Sequence, residues 1–161
     1  MYSMIVFSSY NGTFQGNLTV SAGQNCVFTG GAINGNVTLN GGNLSLSKME
    51  ARGNVQLNGG GTFSIGPFAT INGNLQVQNV PAVGQDEVCD TQITSDLQFQ
   101  NNAAPLQVGS SSPTCTENTI RGNLTVQNNT AATIVDSNTV GGNLQDQNNT
   151  ASTQVFNNTY E

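Results

Sequence analysis

The sequence predicts an all-β fold: a right-handed parallel β-helix, or solenoid, of about seven to eight turns of roughly 20 residues each. Three observations predict it. A phrase, Gly-Asn followed by an alternating apolar strand, recurs along the chain. Its copies are spaced 19, 18, 20, 22, 27 and 20 residues apart. The apolar positions fall in phase from copy to copy. The coil's hand follows from the strong preference of parallel crossovers for the right-handed sense.

The first strand of each turn is the clearest. It reads Gly16-Asn17-Leu18-Thr19-Val20, Gly35-Asn36-Val37-Thr38-Leu39, Gly53-Asn54-Val55-Gln56-Leu57, Gly73-Asn74-Leu75-Gln76-Val77, Gly122-Asn123-Leu124-Thr125-Val126 and Gly142-Asn143-Leu144-Gln145-Asp146, with a degenerate copy, Ser95-Asp96-Leu97-Gln98-Phe99. Strand side chains alternate between faces. This predicts an inward column of Val20, Leu39, Leu57, Val77, Phe99 and Val126. The outward column is Thr19, Thr38, Gln56, Gln76, Gln98, Thr125 and Gln145.

A second strand follows a corner at Leu44-Ser45-Leu46, Phe63-Ser64-Ile65, Leu106-Gln107-Val108, Ile134-Val135 and Gln154-Val155-Phe156. A third precedes each Gly, with Ile33, Ala51, Ile71, Ile93, Ile120 and Val140 as inward residues. Asn is the commonest residue, ahead of 19 Gly. Both suit tight corners. Three corner series stack: Asn17, Asn36, Asn54, Asn74, Asp96, Asn123 and Asn143; Asn79, Asn101, Asn128 and Asn148; Asn118, Asn138 and Asn158. Stacked amides of this kind can bond along the axis. Residues 1–15 read as an N-terminal cap or first turn. Residues 79–92 and 101–118 read as longer corner loops, side by side in adjacent turns. The whole chain, 1–161, is expected to form one domain.

Hydrophobic residues are 35% of the chain and charged residues 7%. That is thin for a globular core but enough for a narrow interior column. Low charge with regular alternation argues against disorder. Three basic against nine acidic residues give a net charge of −6. No basic stripe is available for a phosphate backbone or an anionic membrane surface, so neither is an expected partner. No run approaches the roughly 20 apolar residues of a spanning helix. Met1–Phe7 lacks the basic start of a signal peptide, so the reading expects a mature form with any signal removed.

The phrase Gly122-Asn123-Leu124-Thr125-Val126-Gln127-Asn128-Asn129-Thr130, with its copy at Gly142–Thr150, resembles the repeats of secreted, largely uncharacterised bacterial proteins of parallel β-helix type. The resemblance runs from about Gly16 onward. It implies a secreted or cell-surface protein and is silent on activity. The position of Asp146 is more often Cys or aliphatic in such repeats; the departure points either to engineering or to an exposed last turn, and the C-terminal face around Asp146 is expected to be an assembly edge or a truncation surface.

With no His, the commonest general base, Ser-His-Asp triads and most zinc catalysis are excluded. The only acidic cluster, Asp86, Glu87 and Asp90 with Glu117 from the next turn, is a candidate for calcium or sugar on the longer loops; the alternative is a solvated acidic loop. Cys89 and Cys115 precede Ile93 and Ile120 by similar distances, so stacking places them together as a disulfide. A bridge points to an oxidising compartment. Cys26 reads as a buried apolar residue. The expected function is a non-enzymatic secreted or cell-surface structural protein: scaffold, adhesin module or fibre subunit, able to associate end to end. The alternative is a polysaccharide-binding or polysaccharide-cleaving β-helix using the acidic loop. No cofactor is expected beyond possible calcium.

Overall fold

The computed structural model describes residues 9–84, 86–110, 113 and 115–161. Every regular element among them is a β-strand, and every strand ladder is parallel. The strands stack into a solenoid of seven turns, three strands to a turn.

The first column contains Leu18–Ser21, Val37–Asn40, Val55–Asn58, Leu75–Gln78, Leu97–Gln100, Leu124–Gln127 and Leu144–Gln147, paired in that order. Its register matches the sequence reading. Val20 pairs with Leu39, Leu39 with Leu57, Leu57 with Val77, Val77 with Phe99, and Phe99 with Val126. All six are buried. The second column runs through the first half of Asn25–Ile33, then Asn43–Leu46, Phe63–Ile65, Asp86–Val88, Leu106–Gly109, Thr133–Asp136 and Thr153–Phe156. The third runs through the end of Asn25–Ile33, then Glu50–Ala51, Ala69–Ile71, Thr91–Ile93, Thr119–Ile120, Thr139–Val140 and Thr159–Tyr160. The long strand Asn25–Ile33 continues through a corner, which joins the second and third columns into one 14-stranded sheet. The core is the narrow interior between the columns. Its wall includes Leu18, Phe28, Ile33, Leu46, Ile65, Ile71 and Phe99.

Ser9–Phe14 pairs in parallel with Asn25–Ile33, and Tyr10 packs edge-on against Phe28 at 5.1 Å. Residues 9–14 thus add a strand to the first turn; 1–8 lie outside the described residues. The two stretches expected as long loops need correction. Residues 79–92 contain Asp86–Val88 and the start of Thr91–Ile93, and 101–118 contains Leu106–Gly109. The irregular backbone is therefore shorter than expected. Ser111, Ser112 and Thr114 lie outside the described residues.

The corners explain the Gly-Asn phrase. Each Asn backbone N–H donates to the side-chain oxygen of the residue one turn earlier: Asn36 to Asn17 at 2.8 Å, Asn54 to Asn36 at 2.8 Å, Asn74 to Asn54 at 2.9 Å, Asp96 to Asn74 at 3.1 Å, Asn123 to Asp96 at 2.7 Å and Asn143 to Asn123 at 2.9 Å. A Cβ at Gly53 would fall within 3.0 Å of both Asn36 Oδ1 and the Gly35 carbonyl, so the residue before each Asn must be small. Ser95 is the exception, and the link beside it, at 3.1 Å, is the longest of the six.

The second corner departs from the sequence reading by one residue. Asn79, Asn101, Asn128 and Asn148 share a position, but their common feature is a left-handed backbone, φ 53 to 57°. Asn adopts that conformation at lower cost than most residues. The ladder is formed by the next residues. Val80 N–H donates to Asn102 Oδ1, Asn102 N–H to Asn129 Oδ1 and Asn129 N–H to Asn149 Oδ1. Their side-chain amides donate in turn to the Val77, Phe99 and Val126 carbonyls. Asn118, Asn138 and Asn158 form the third ladder as expected, with Asn118 and Asn138 fully buried.

Candidate functional site

The second column and its flanking corners place the acidic residues. Asp86 does not lie on a loop. It begins the strand Asp86–Val88, opposite Leu106, with its side chain in the core and 1% exposed. Its neighbours along the column are Phe63 and Leu106, where an aliphatic or aromatic side chain would be ordinary. Oδ1 accepts the Phe63 N–H at 2.8 Å. Oδ2 has no partner. Burial pushes the carboxyl up to about 6, and the Phe63 N–H pulls against that rise. A carboxyl so enclosed has no path to a substrate or a solvated ion.

Glu87 is the next residue and so faces outward. Its Oε1 accepts the Ser64 hydroxyl at 2.9 Å. Its Oε2 lies 3.8 Å from Cys115 Sγ. Cys89 and Cys115 form the expected disulfide, with Cα atoms 5.2 Å apart. It ties the corner after Val88 to the irregular segment that crosses the next turn. Both sulfurs are nearly buried. The Glu87 carboxylate, Cys89 and Cys115 thus form one cluster, with candidate ligand atoms within 4.8 Å of one another. Cys26 is free and buried, and burial pushes its thiol up to about 11.

Asp90 and Glu117 lie on a different surface. Together with Phe68, Thr70, Gln92 and Thr119 they line a shallow depression over the third column. Asp90 occupies the left-handed corner position, φ 45°, that Lys48, Phe68, Ser137 and Asn157 occupy in other turns. Its N–H donates to the Thr116 carbonyl, and its own carbonyl accepts the Phe68 N–H. The expected four-residue acidic site therefore divides. Asp90 and Glu117 are together, Glu87 faces the disulfide, and Asp86 is in the core. Calcium takes six to eight oxygen ligands, and these four carboxyls do not converge on one point.

Sequence reasoning missed a second surface. The outward face of the first column and its Asn corner form a shallow groove along the axis. Asn17, Asn36, Asn54, Thr19, Thr38 and Gln56 line its N-terminal part, and none carries a charge. A neighbouring depression that shares Thr38 and Gln56 reaches Gln76 and Gln78. At this corner each backbone link ends on a side-chain Oδ1, and Asn123 Nδ2 also donates to Asp96 Oδ1 at 3.2 Å. The Nδ2 groups of Asn17, Asn36 and Asn54 donate to no other described residue and face outward. The signal was present in the repeat itself, in the outward Thr/Gln series.

Asp146 ends the inward column above Val126, as the sequence implied. It is exposed, and its carboxylate accepts the Asn149 side-chain amide. The last turn leaves Val155, Phe156 and Tyr160 exposed, at 37, 43 and 56%. Among the described residues its three strands pair on one side only. Compared with known proteins, the chain matches no family model, no curated protein and no solved structure.

Proposed function

We propose that this chain is a non-enzymatic structural module, a rigid rod that is secreted or displayed at a cell surface and associates end to end as a scaffold, adhesin module or fibre subunit. The observation that carries the reading is the last turn. Among the described residues, three parallel strand edges and the side chains of Val155, Phe156 and Tyr160 are exposed on that turn. Open edges are templates for further pairing. A second copy could satisfy those N–H and C=O groups while covering the apolar side chains. Asp146 sits in that face and opposes its burial, because a carboxylate without a countercharge is costly to desolvate. The disulfide supports an oxidising, extracytoplasmic setting. The similarity of the repeats to secreted bacterial β-helix proteins supports the same setting. Sedimentation velocity over a concentration series tests the reading. Asp146→Val should shift the chain toward larger species. Wild type and variant that both remain monomeric at high concentration would remove the basis for end-on assembly.

A second reading is favoured by the uncharged groove. A neutral polysaccharide lying along the axis would meet hydroxyl and amide groups repeating at about 4.8 Å. Thr38→Val with Gln56→Met should abolish chemical-shift changes caused by neutral oligosaccharides. Shifts confined to Asp90 and Glu117 would instead favour the acidic depression.

A further inference from the structure

We propose that Glu87, Cys89 and Cys115 form a binding site for a thiophilic divalent ion, Zn2+ being the type case, that opens only when their disulfide is reduced. This site is independent of the end-on assembly reading. The geometry begins with Glu87. The Ser64 hydroxyl holds Oε1 at 2.9 Å, which fixes the carboxylate plane. The other oxygen then faces the sulfur pair, 3.8 Å from Cys115 Sγ. A disulfide sulfur carries no proton, so it offers Glu87 Oε2 no hydrogen bond. The carboxylate is thus positioned toward two atoms that, in the bridged state, cannot satisfy it.

Reduction changes the chemistry of those atoms. A dithiol reductant supplies two electrons and two protons. The S–S bond breaks, Cys89 and Cys115 become thiols, and the reductant leaves as its own disulfide. When a divalent ion enters, each thiol releases its proton to solvent and the two thiolates bind through sulfur. Two thiolates and a carboxylate are three anionic ligands of the kinds zinc takes, with a fourth position left for water. Zinc–sulfur bonds near 2.3 Å require the sulfurs to separate. The candidate ligand atoms already lie within 4.8 Å of one another, and the Cα atoms are 5.2 Å apart. Side-chain rotation alone can then make the change. A hard ion such as calcium would not choose this donor set, because sulfur suits softer metals.

The test uses Co2+ as a spectroscopic substitute for zinc. The full chain carries Cys26→Ala, so that Cys89 and Cys115 supply the only thiols. The oxidised protein should give no thiolate-to-cobalt charge-transfer absorption. The reduced protein should give it at one ion per chain, with Zn2+ displacing the cobalt and the β-sheet circular dichroism retained. Glu87→Gln should weaken the ion by about tenfold or more, the range seen when a metal site loses a supporting carboxylate. Equal binding before and after reduction would overturn the proposal. So would a reduced chain that takes no cobalt, or one whose affinity is unchanged by Glu87→Gln. Binding that accompanies loss of the β-sheet signal would mean capture by unfolded thiols, and that also overturns it.

Discussion

At Asp86 a carboxyl group takes a place in a column that runs Cys26, Leu44, Phe63, Asp86, Leu106, Thr133 and Thr153, with apolar Phe63 and Leu106 on either side of it. The physical consequence is a pH dependence of known sign. The folded carboxyl holds its proton up to about 6, while an unfolded Asp releases it near its ordinary value of 3.8. Between those values the folded state binds more protons, so stability falls as pH rises through the window and remains lower above it. Two units correspond to roughly 3 kcal/mol. Asp86→Asn keeps an acceptor for the Phe63 N–H and removes the ionisation. Urea unfolding from pH 4 to 8 should show the wild type losing stability relative to this variant across pH 4 to 6. Parallel curves would mean that Asp86 stays ionised in the fold. At Gly53 the constraint is steric. Gly53→Ala drives a Cβ against Asn36 Oδ1 and should cost about 2 kcal/mol or more by thermal unfolding.

The three Asn ladders differ as elements, and mutation should separate them. In the first, every backbone link ends on a side-chain oxygen, which is why Asp96 can stand in the series. Asn36→Asp should therefore be near neutral, and Asn36→Ala should cost about 1 kcal/mol at an exposed link. Asn129 is buried and serves both as acceptor for the Asn102 N–H and as donor to the Phe99 carbonyl. Asn129→Ala strands two buried backbone groups and should cost several times more, about 2–5 kcal/mol in chemical denaturation. The same elements show what the sequence made legible. The first and third columns were readable because Gly-Asn anchors their phase and their inward residues are almost all aliphatic. The second was harder. Asp86, Thr133 and Thr153 are polar at inward positions, and Pro81 and Gly84 made 79–92 resemble one loop. Yet Val88 stands five residues before Ile93, as Leu46 stands before Ala51 and Val135 before Val140. That spacing was the signal for the missing strand. The second ladder was misplaced because its residues come as Asn-Asn pairs. One amide residue accepts the left-handed backbone and the next makes the ladder. Composition alone does not assign the two roles. The acidic residues divide for a related reason, since neighbours in a strand face opposite ways and separate Asp86 from Glu87.

At the scale of the whole molecule, seven turns at about 4.8 Å stack into a rod. Each turn contacts mainly its neighbours, so stability accumulates turn by turn. The Cys89–Cys115 bridge closes a loop with a sequence separation of 26 across two adjacent turns. Its reduction should lower stability by about 3 kcal/mol on the chain-entropy estimate, read as a drop in the urea midpoint. The central claim is that side-chain amides at the corners, as much as the strand ladders, fix the parallel register of the turns. Residue-resolved amide hydrogen exchange tests it most directly. The backbone amides of Asn36, Asn54, Asn74, Asp96, Asn123 and Asn143 lie at corners beyond the strand ends, where only a side-chain oxygen accepts them. The account predicts that these six amides are protected to a degree comparable with the first-column strands beside them. Exchange at the rate of an open loop, with the strands still protected, would contradict it.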